Sequence, residues 1–284
     1  MAARIGKADR GRSLDVPGMP VARPFLTAEW RDVVLVNYRV DPELLRPFLP
    51  PGSDLDTPDA EPGVHLVSVV AFTFARTRVF GVPLPTAQLF SEVNVRFYVR
   101  RGPMRATVFL REFVPSPLVV VGARWLYRQP YALARIDHLV ERSGGEVVVR
   151  TRFARGRVGG EITLRAANEP AVPPPDSVEH FLKEHYWGFD RDWRGRSFRY
   201  RVDHPVWRTY PVVAADVGLD PGKLLGGVWA AVDWEASRVS VLLAEGSRAV
   251  VSTPEPLVNP DLIGLVDPGQ PAVSERRSRA DLAG

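Results

Sequence analysis

The 284 residues are 45% hydrophobic and 25% charged, a composition that supports a folded core and excludes a disordered or fibrous chain. The net charge is only +4 and the basic residues are scattered, so no nucleic-acid surface is expected despite a pI of about 9.6. The absence of cysteine removes disulfides, thiolate nucleophiles and Cys-ligated metals, and only Lys7, Lys183 and Lys223 are available to chemistry that needs an amine.

The basic N-terminus lacks the apolar core of a signal peptide, and no later stretch reaches the ~18 apolar residues of a membrane span, so a cytoplasmic protein without a membrane partner is expected. Residues 1–22 and 251–284 read as disordered or mostly disordered tails around a single domain at 23–250. The domain opens on the strand-like run "DVVLVNYRV" (32–40). A helix follows in "DPELLRPFLPPG", with Asp41 as N-cap, Pro42 at the first helical position and Pro50-Pro51-Gly52 as its stop. Strand-like runs then recur at "VHLVSVVAFTFA" (64–75), "SEVNVRFYV" (91–99), "RATVFLREF" (105–113), "PLVVVGARWLY" (117–127), "EVVVRTRF" (146–153) and "GEITLRA" (160–166). Short connections such as "RRGP" and "SGG" favour antiparallel neighbours over helical crossovers. A second helix is read in "DSVEHFLKEHYWGF", with Asp176 as N-cap, Glu179 three residues on, and "EHFLKEH" as a solvated face. "SFRYRVDHPVWRTYPVV" (197–213), "GGVWAAVDW" (226–234) and "SRVSVLLAEG" (237–246) complete the strand-like runs. The predicted fold is mainly β, with α+β as the alternative: an antiparallel sheet that curls or closes, with two or three short helices.

Phosphate-binding loops, nucleotide-fingerprint glycines, nucleophile elbows and zinc-protease helices are absent from the sequence. His180 and His185, five apart on a helix, lie on different sides of it, and neither a metal site nor a cofactor is predicted. "VDHPVWRTYPV" sets His204 beside Trp207 and Tyr210, either as a titratable ring between aromatic walls or as a turn cap next to a core tryptophan. Strict alternation in "SEVNVRFYV" puts Val93, Val95, Phe97 and Val99 on one face and Glu92, Asn94, Arg96 and Tyr98 on the other. The polar set suits a wet face, and it also suits a pocket wall, since its members are specific hydrogen-bonding groups rather than interchangeable charges.

The segments "FLTAEWRDVVLVNYRVDPELLRPFLPPGSDLD", "EVNVRFYV" and "WLYRQPYALARID", in that order, resemble the YqjF-like bacterial family, a domain of unknown function grouped with the acetoacetate decarboxylase-like superfamily. The similarity spans roughly residues 23 to 245. It implies a curved sheet closing into a cone-like barrel around a small-molecule cavity, often in a homo-oligomer. On the decarboxylase pattern, Arg31 ahead of Tyr38-Arg39 matches a conserved arginine. Glu92 after Phe90-Ser91 matches a conserved acid, which by parity turns Asn94 and Arg96 toward the cavity. The pattern breaks at the nucleophile: where the decarboxylases place two adjacent lysines after a proline, this chain reads Pro130-Tyr131-Ala132. A further acid on the preceding strand has no counterpart there beyond Ser68. Tyrosine can donate a hydrogen bond to a carbonyl but cannot form a Schiff base, so conventional acetoacetate decarboxylation is predicted absent, and borohydride with acetoacetate should leave no covalent adduct.

Two functions remain open. In one, a lyase, dehydratase or cyclase without Schiff-base chemistry acts on a carbonyl or carboxylate substrate. Glu92, Tyr131 and Arg31 are then its catalytic groups, and Asn94, Arg96, Tyr98, His204 and Trp207 bind the substrate. In the other, the same residues line a non-catalytic ligand-binding or carrier protein. An enzyme should bring Glu92 and Tyr131 within hydrogen-bond reach at an open cavity with a displaced pKa. A purely structural network should instead pair Glu92 with an arginine and leave no room for a ligand.

Overall fold

Long runs of alternating and β-branched residues make strands the dominant element of the chain. The computed structural model describes residues 24–84, 88–126, 130–191 and 195–257; the N-terminal tail at 1–22, Lys7 and everything from 258 onward lie outside the described residues. In chain order the strands are β1 (Pro24–Arg39), β2 (Asp54–Leu55), β3 (Leu66–Val79), β4 (Val82–Pro83), β5 (Leu89–Arg101), β6 (Met104–Val114), β7 (Tyr131–Leu133) and β8 (Arg135–Ser143). They continue as β9 (Glu146–Arg155), β10 (Val158–Ala167), β11 (Trp187–Arg191), β12 (Ser197–Asp203), β13 (Thr209–Tyr210), β14 (Val212–Val217), β15 (Arg238–Ser252) and β16 (Glu255–Pro256). Four short helices interrupt them: α1 (Pro117–Leu126), α2 (Val178–Lys183), α3 (Pro221–Leu225) and α4 (Trp234–Ser237).

Seven strands form a ring of hydrogen bonds in the order β15-β1-β3-β5-β6-β11-β12, closed where β12 meets β15 through Val202↔Val251 and Asp203↔Val250. The ring is uneven, because that seam has two residue pairs and the parallel β6–β11 seam three, whereas β1, β3 and β5 pair along most of their length. A second, antiparallel sheet of order β14-β10-β9-β8 covers the outside of the ring. Val93, Val95 and Phe97 of β5 pack with Val149, Phe153, Ile162 and Leu164 of that sheet, and Phe113 meets Phe153 edge-on at 5.0 Å. Inside the ring, Val33, Leu35, Val70, Phe72 and Phe74 gather with Phe181, Leu182 and Trp207, so α2 closes the interior from one side.

Several local readings need correction. The apolar run at 117–127 contains helix α1, which begins where the Ser116 hydroxyl accepts from the Val119 amide and Pro117 supplies a first-turn residue with no amide to satisfy. "GGVWAAVDW" is a 3₁₀ turn over Gly227–Ala231, entered through Gly226 and Gly227 at φ 71° and 58°, conformations a strand does not use. The helix expected after Asp41 is two 3₁₀ turns, Pro42–Leu44 and Arg46–Phe48, the first capped by Asp41 as expected. Helix α2 is capped by Ser177, whose hydroxyl accepts from the His180 amide at 3.1 Å, rather than by Asp176. Its "EHFLKEH" stretch is not a solvated face, because Phe181, Leu182, Lys183, Glu184 and His185 are all buried. No helix among the described residues is long and apolar enough to cross a membrane.

Candidate functional site

Strand β5 forms one wall of the interior. Glu92 lies opposite Phe72 of β3, Asn94 between Val70 and Glu112, and Arg96 between Ser68 and Phe109, so the polar face of β5 looks inward across the ring. It borders a cavity of about 350 Å³, within the ~300–1,000 Å³ common for small-molecule sites. Most of the wall is aromatic. Trp30 meets Phe72, Phe74 and Trp207 edge-on at 5.5, 5.9 and 6.1 Å, Phe90 stacks on Phe74 at 4.7 Å, and His204 stacks on Trp207 at 4.3 Å. Tyr200 completes it because Gly188 faces its ring; a Cβ on Gly188 would lie 2.2 Å from the Tyr200 Cζ.

At one end of the cavity three titratable groups meet. The Tyr131 hydroxyl donates to Glu92 Oε2 at 3.1 Å and the Asn94 amide donates to Glu92 Oε1 at 2.9 Å. Glu112 of β6 engages the same Tyr131 hydroxyl, and its Oε2 has no hydrogen-bond partner. Glu92 is 3% exposed and Glu112 2%. Burial pushes the Glu92 carboxyl up to about 7, against the opposing pull of Asn94, Tyr131 and the Arg96 charge. Burial, then the charges of Glu92 and Asp190, raise Glu112 well above the ordinary carboxylate range. Burial, with both carboxylates beside it, likewise keeps Tyr131 protonated. Two carboxyls separated in this way can divide a proton transfer, the lower-titrating one as base and the neutral one as donor to a carbonyl oxygen.

At the other end lie Arg96, Lys183, His185 and His204. Lys183 Nζ donates to Glu184 Oε1 at 2.7 Å, an oxygen that also accepts from the Trp207 amide at 3.2 Å. Burial pushes Glu184 up, but hydrogen bonds from Lys183 and Tyr186 outweigh it and hold the carboxyl below its usual range. Arg96 donates to the Leu182 carbonyl at 2.9 Å. His204 Nδ1–H donates to the Pro205 carbonyl at 2.9 Å, and burial pulls both His204 and His185 below the usual histidine range, so both rings are neutral at pH 7. Among the described residues no three His, Asp or Glu side chains converge as metal ligands would.

Of the expected site residues, Glu92, Asn94, Arg96, Tyr131, His204 and Trp207 border the cavity. Tyr98 is buried beneath it, its hydroxyl bonded to Ser68 Oγ at 2.6 Å and to the Leu182 carbonyl at 3.2 Å. Arg31 lies outside: its side chain is 45% exposed and its guanidinium pairs with Glu29. The cause is a β-bulge at which Asp32, with φ 55°, and Val33 together face Phe72, which puts Trp30 and Val33 on the cavity side and turns Arg31 to solvent. A second bulge works the other way. Arg96 pairs with Phe109 and Val95 with Arg111, so Leu110 is the extra residue and Glu112 joins Thr107 and Phe109 on the inner face. Glu112, Lys183 and His185 are among the lining residues that sequence reasoning missed. A single acid in the strand-like run "RATVFLREF" was the available signal for Glu112.

Solved structures with this fold include an acetoacetate decarboxylase from Legionella pneumophila (TM-score 0.57, 15% identity, 87% of this chain and 98% of that one). The acetoacetate decarboxylase-like enzyme from Sphingomonas wittichii RW1 aligns at TM-score 0.55 and 13% identity, over 87% of this chain and 98% of that one. The enduracididine biosynthesis enzyme MppR, in complex with pyruvate, aligns at TM-score 0.54 and 15% identity, over 86% and 94%. In sequence, YqjF of Bacillus subtilis (strain 168), an uncharacterized protein, is 27% identical over 180 residues, 63% of this chain and 72% of its own length. The family described as an uncharacterized conserved protein, DUF2071, matches residues 27–240, and the chain, with its ring-shaped sheet and largely aromatic cavity, belongs to that family.

Proposed function

We propose that the cavity is the active site of an acid–base enzyme acting on a carbonyl compound with an enolisable C–H bond. Glu92 as carboxylate takes the proton from carbon, the C–H electrons move into the carbonyl, and neutral Glu112 hydrogen-bonds the oxygen that gains charge. Tyr131 and Asn94 orient Glu92 through its two oxygens. Return of the proton completes an isomerisation, and loss of a leaving group or attack by the enol gives a dehydratase, lyase or cyclase. The observation that carries the reading is a nearly inaccessible glutamate at the wall of a cavity, bonded to a tyrosine and an amide instead of an arginine.

The test is incorporation of solvent deuterium at the carbon beside the carbonyl of a panel of oxo acids, followed by proton NMR from pH 5 to 9. Exchange should rise with a midpoint near pH 7, where Glu92 ionises, and Glu92→Gln should lower it by about 10²–10⁴-fold. Ligands that bind tightly yet exchange no faster than in buffer would instead establish the carrier reading, which the occupancy of both Glu92 oxygens by Asn94 and Tyr131 favours.

A further inference from the structure

The two ends of the cavity have opposite hydrogen-bonding deficits. Beside Glu92 an orphaned atom is an acceptor, Asn94 Oδ1. Toward α2 the orphans include two donors, Arg96 Nε and Trp30 Nε1, both on residues of the cavity wall, beside the two unpartnered ring nitrogens of His185. Lys183 sharpens the asymmetry: its side chain has 0% exposure, and among the described residues its ammonium makes one hydrogen bond, to Glu184, of the three it can donate. Glu184 is itself filled by Lys183, Tyr186 and the Trp207 amide and has little left to offer a second donor. Lys183 is thus matched by Glu184, whereas Arg96, bonded to a carbonyl, makes no ion pair among the described residues, in a site walled by Trp30, Phe72 and Trp207. Buried donors without acceptors destabilise the fold, and an anion with two acceptor oxygens would relieve that cost.

We propose that Arg96 and Lys183 form an anion clamp for the carboxylate of an organic monoacid whose apolar body lies along the aromatic wall. The clamp stands at the helix side of the cavity, and the ligand then reaches toward Glu92 with its far end. This placement rests on the acid–base reading only for what the far end carries, a carbonyl; recognition of the carboxylate is independent of it. The ligand is a monoacid with an aryl-sized body, since rings make up most of the wall and, among the described residues, Arg96 and Lys183 are the only arginine and lysine that line it. Arg31, the arginine singled out from the sequence, takes no part, being held by Glu29 at the surface.

The experiment compares 3-phenylpropionate with its amide, a pair of one shape that differs in charge, by calorimetry and by quenching of the cavity tryptophans. The acid should bind the full chain at least tenfold tighter than the amide. Arg96→Met and Lys183→Met should each shrink that preference to twofold or less, with melting temperature checked for each variant, and Glu92→Gln should retain it. Equal binding of acid and amide to the unaltered protein, or no binding of either at millimolar concentration, overturns the clamp whatever the variants do. A tenfold preference that survives both clamp substitutions in folded protein overturns the assignment to these residues. Intact preference with no deuterium exchange would sink the enzyme reading alone.

Discussion

The two faces of β5 are both dry, and they are dry in different ways. Val93, Val95, Phe97 and Val99 are fully buried against the outer sheet, where apolar atoms meet apolar atoms. Glu92 and Asn94, one residue out of phase, are almost as inaccessible, but they face a cavity and carry a raised carboxyl and an unpartnered carbonyl oxygen. The first face lowers the free energy of the fold at about 25 cal/mol per Å² of apolar surface, while the second raises it for each polar atom left unpaired. A strand that was only structural would gain by replacing Glu92 with an apolar residue. Burial alone therefore separates neither face from the other; hydrogen-bond completeness does.

Substitutions on the two faces should separate stability from activity. The largest expected effect is in turnover: Glu92→Gln removes the base and should lower deuterium exchange by about 10²–10⁴-fold while the carboxylate probe binds within twofold. On the opposite face Phe97→Ala should cost about 3–5 kcal/mol in urea unfolding, because the 0%-exposed ring leaves a cavity that the two sheets cannot close. Glu112→Gln should act with pH. Both buried acids titrate higher in the fold than in the unfolded chain, where a glutamate loses its proton near 4.5. As pH rises above about 4.5 the unfolded chain ionises first and the fold loses stability, for Glu92 until about pH 7, and Glu112, also raised, acts in the same direction. Glu112→Gln should therefore raise the melting temperature at pH 8 and leave it nearly unchanged at pH 4.5. The smallest effect belongs to Arg31→Ala, which should stay within about 0.5 kcal/mol and leave probe binding intact, since an exposed pair with Glu29 contributes little.

Periodicity was enough to read β5, β9 and β10, whose apolar residues alternate with polar ones, while β3 and β6 were legible as strand-length runs rich in apolar and β-branched residues. It failed at α1, where "PLVVVGARWLY" is apolar over most of its length and a short apolar run does not distinguish a strand from a packed helix. The site divides similarly. Glu92, Asn94 and Arg96 were legible as one face of one strand, and the resemblance pointed that face inward. Arg31 sits just before a bulge at Asp32 and Glu112 just after one at Leu110, and one extra residue reverses the facing of the residues on its two sides relative to each other. No local pattern announces either bulge. Lys183 and His185 were hidden for another reason: they end and follow a six-residue helix whose burial depends on Leu182 and Phe181 docking across the ring, a contact between segments far apart in the chain.

The claim on which the rest depends is that Glu92 changes protonation inside the cavity near neutral pH. Carboxyl ¹³C NMR of protein labelled at glutamate, titrated from pH 4 to 9 and compared with Glu92→Gln, reads this directly. One resonance with a midpoint near pH 7, missing from the variant, is the predicted result; a Glu92 resonance that titrates below pH 5, as an exposed glutamate does, would contradict it.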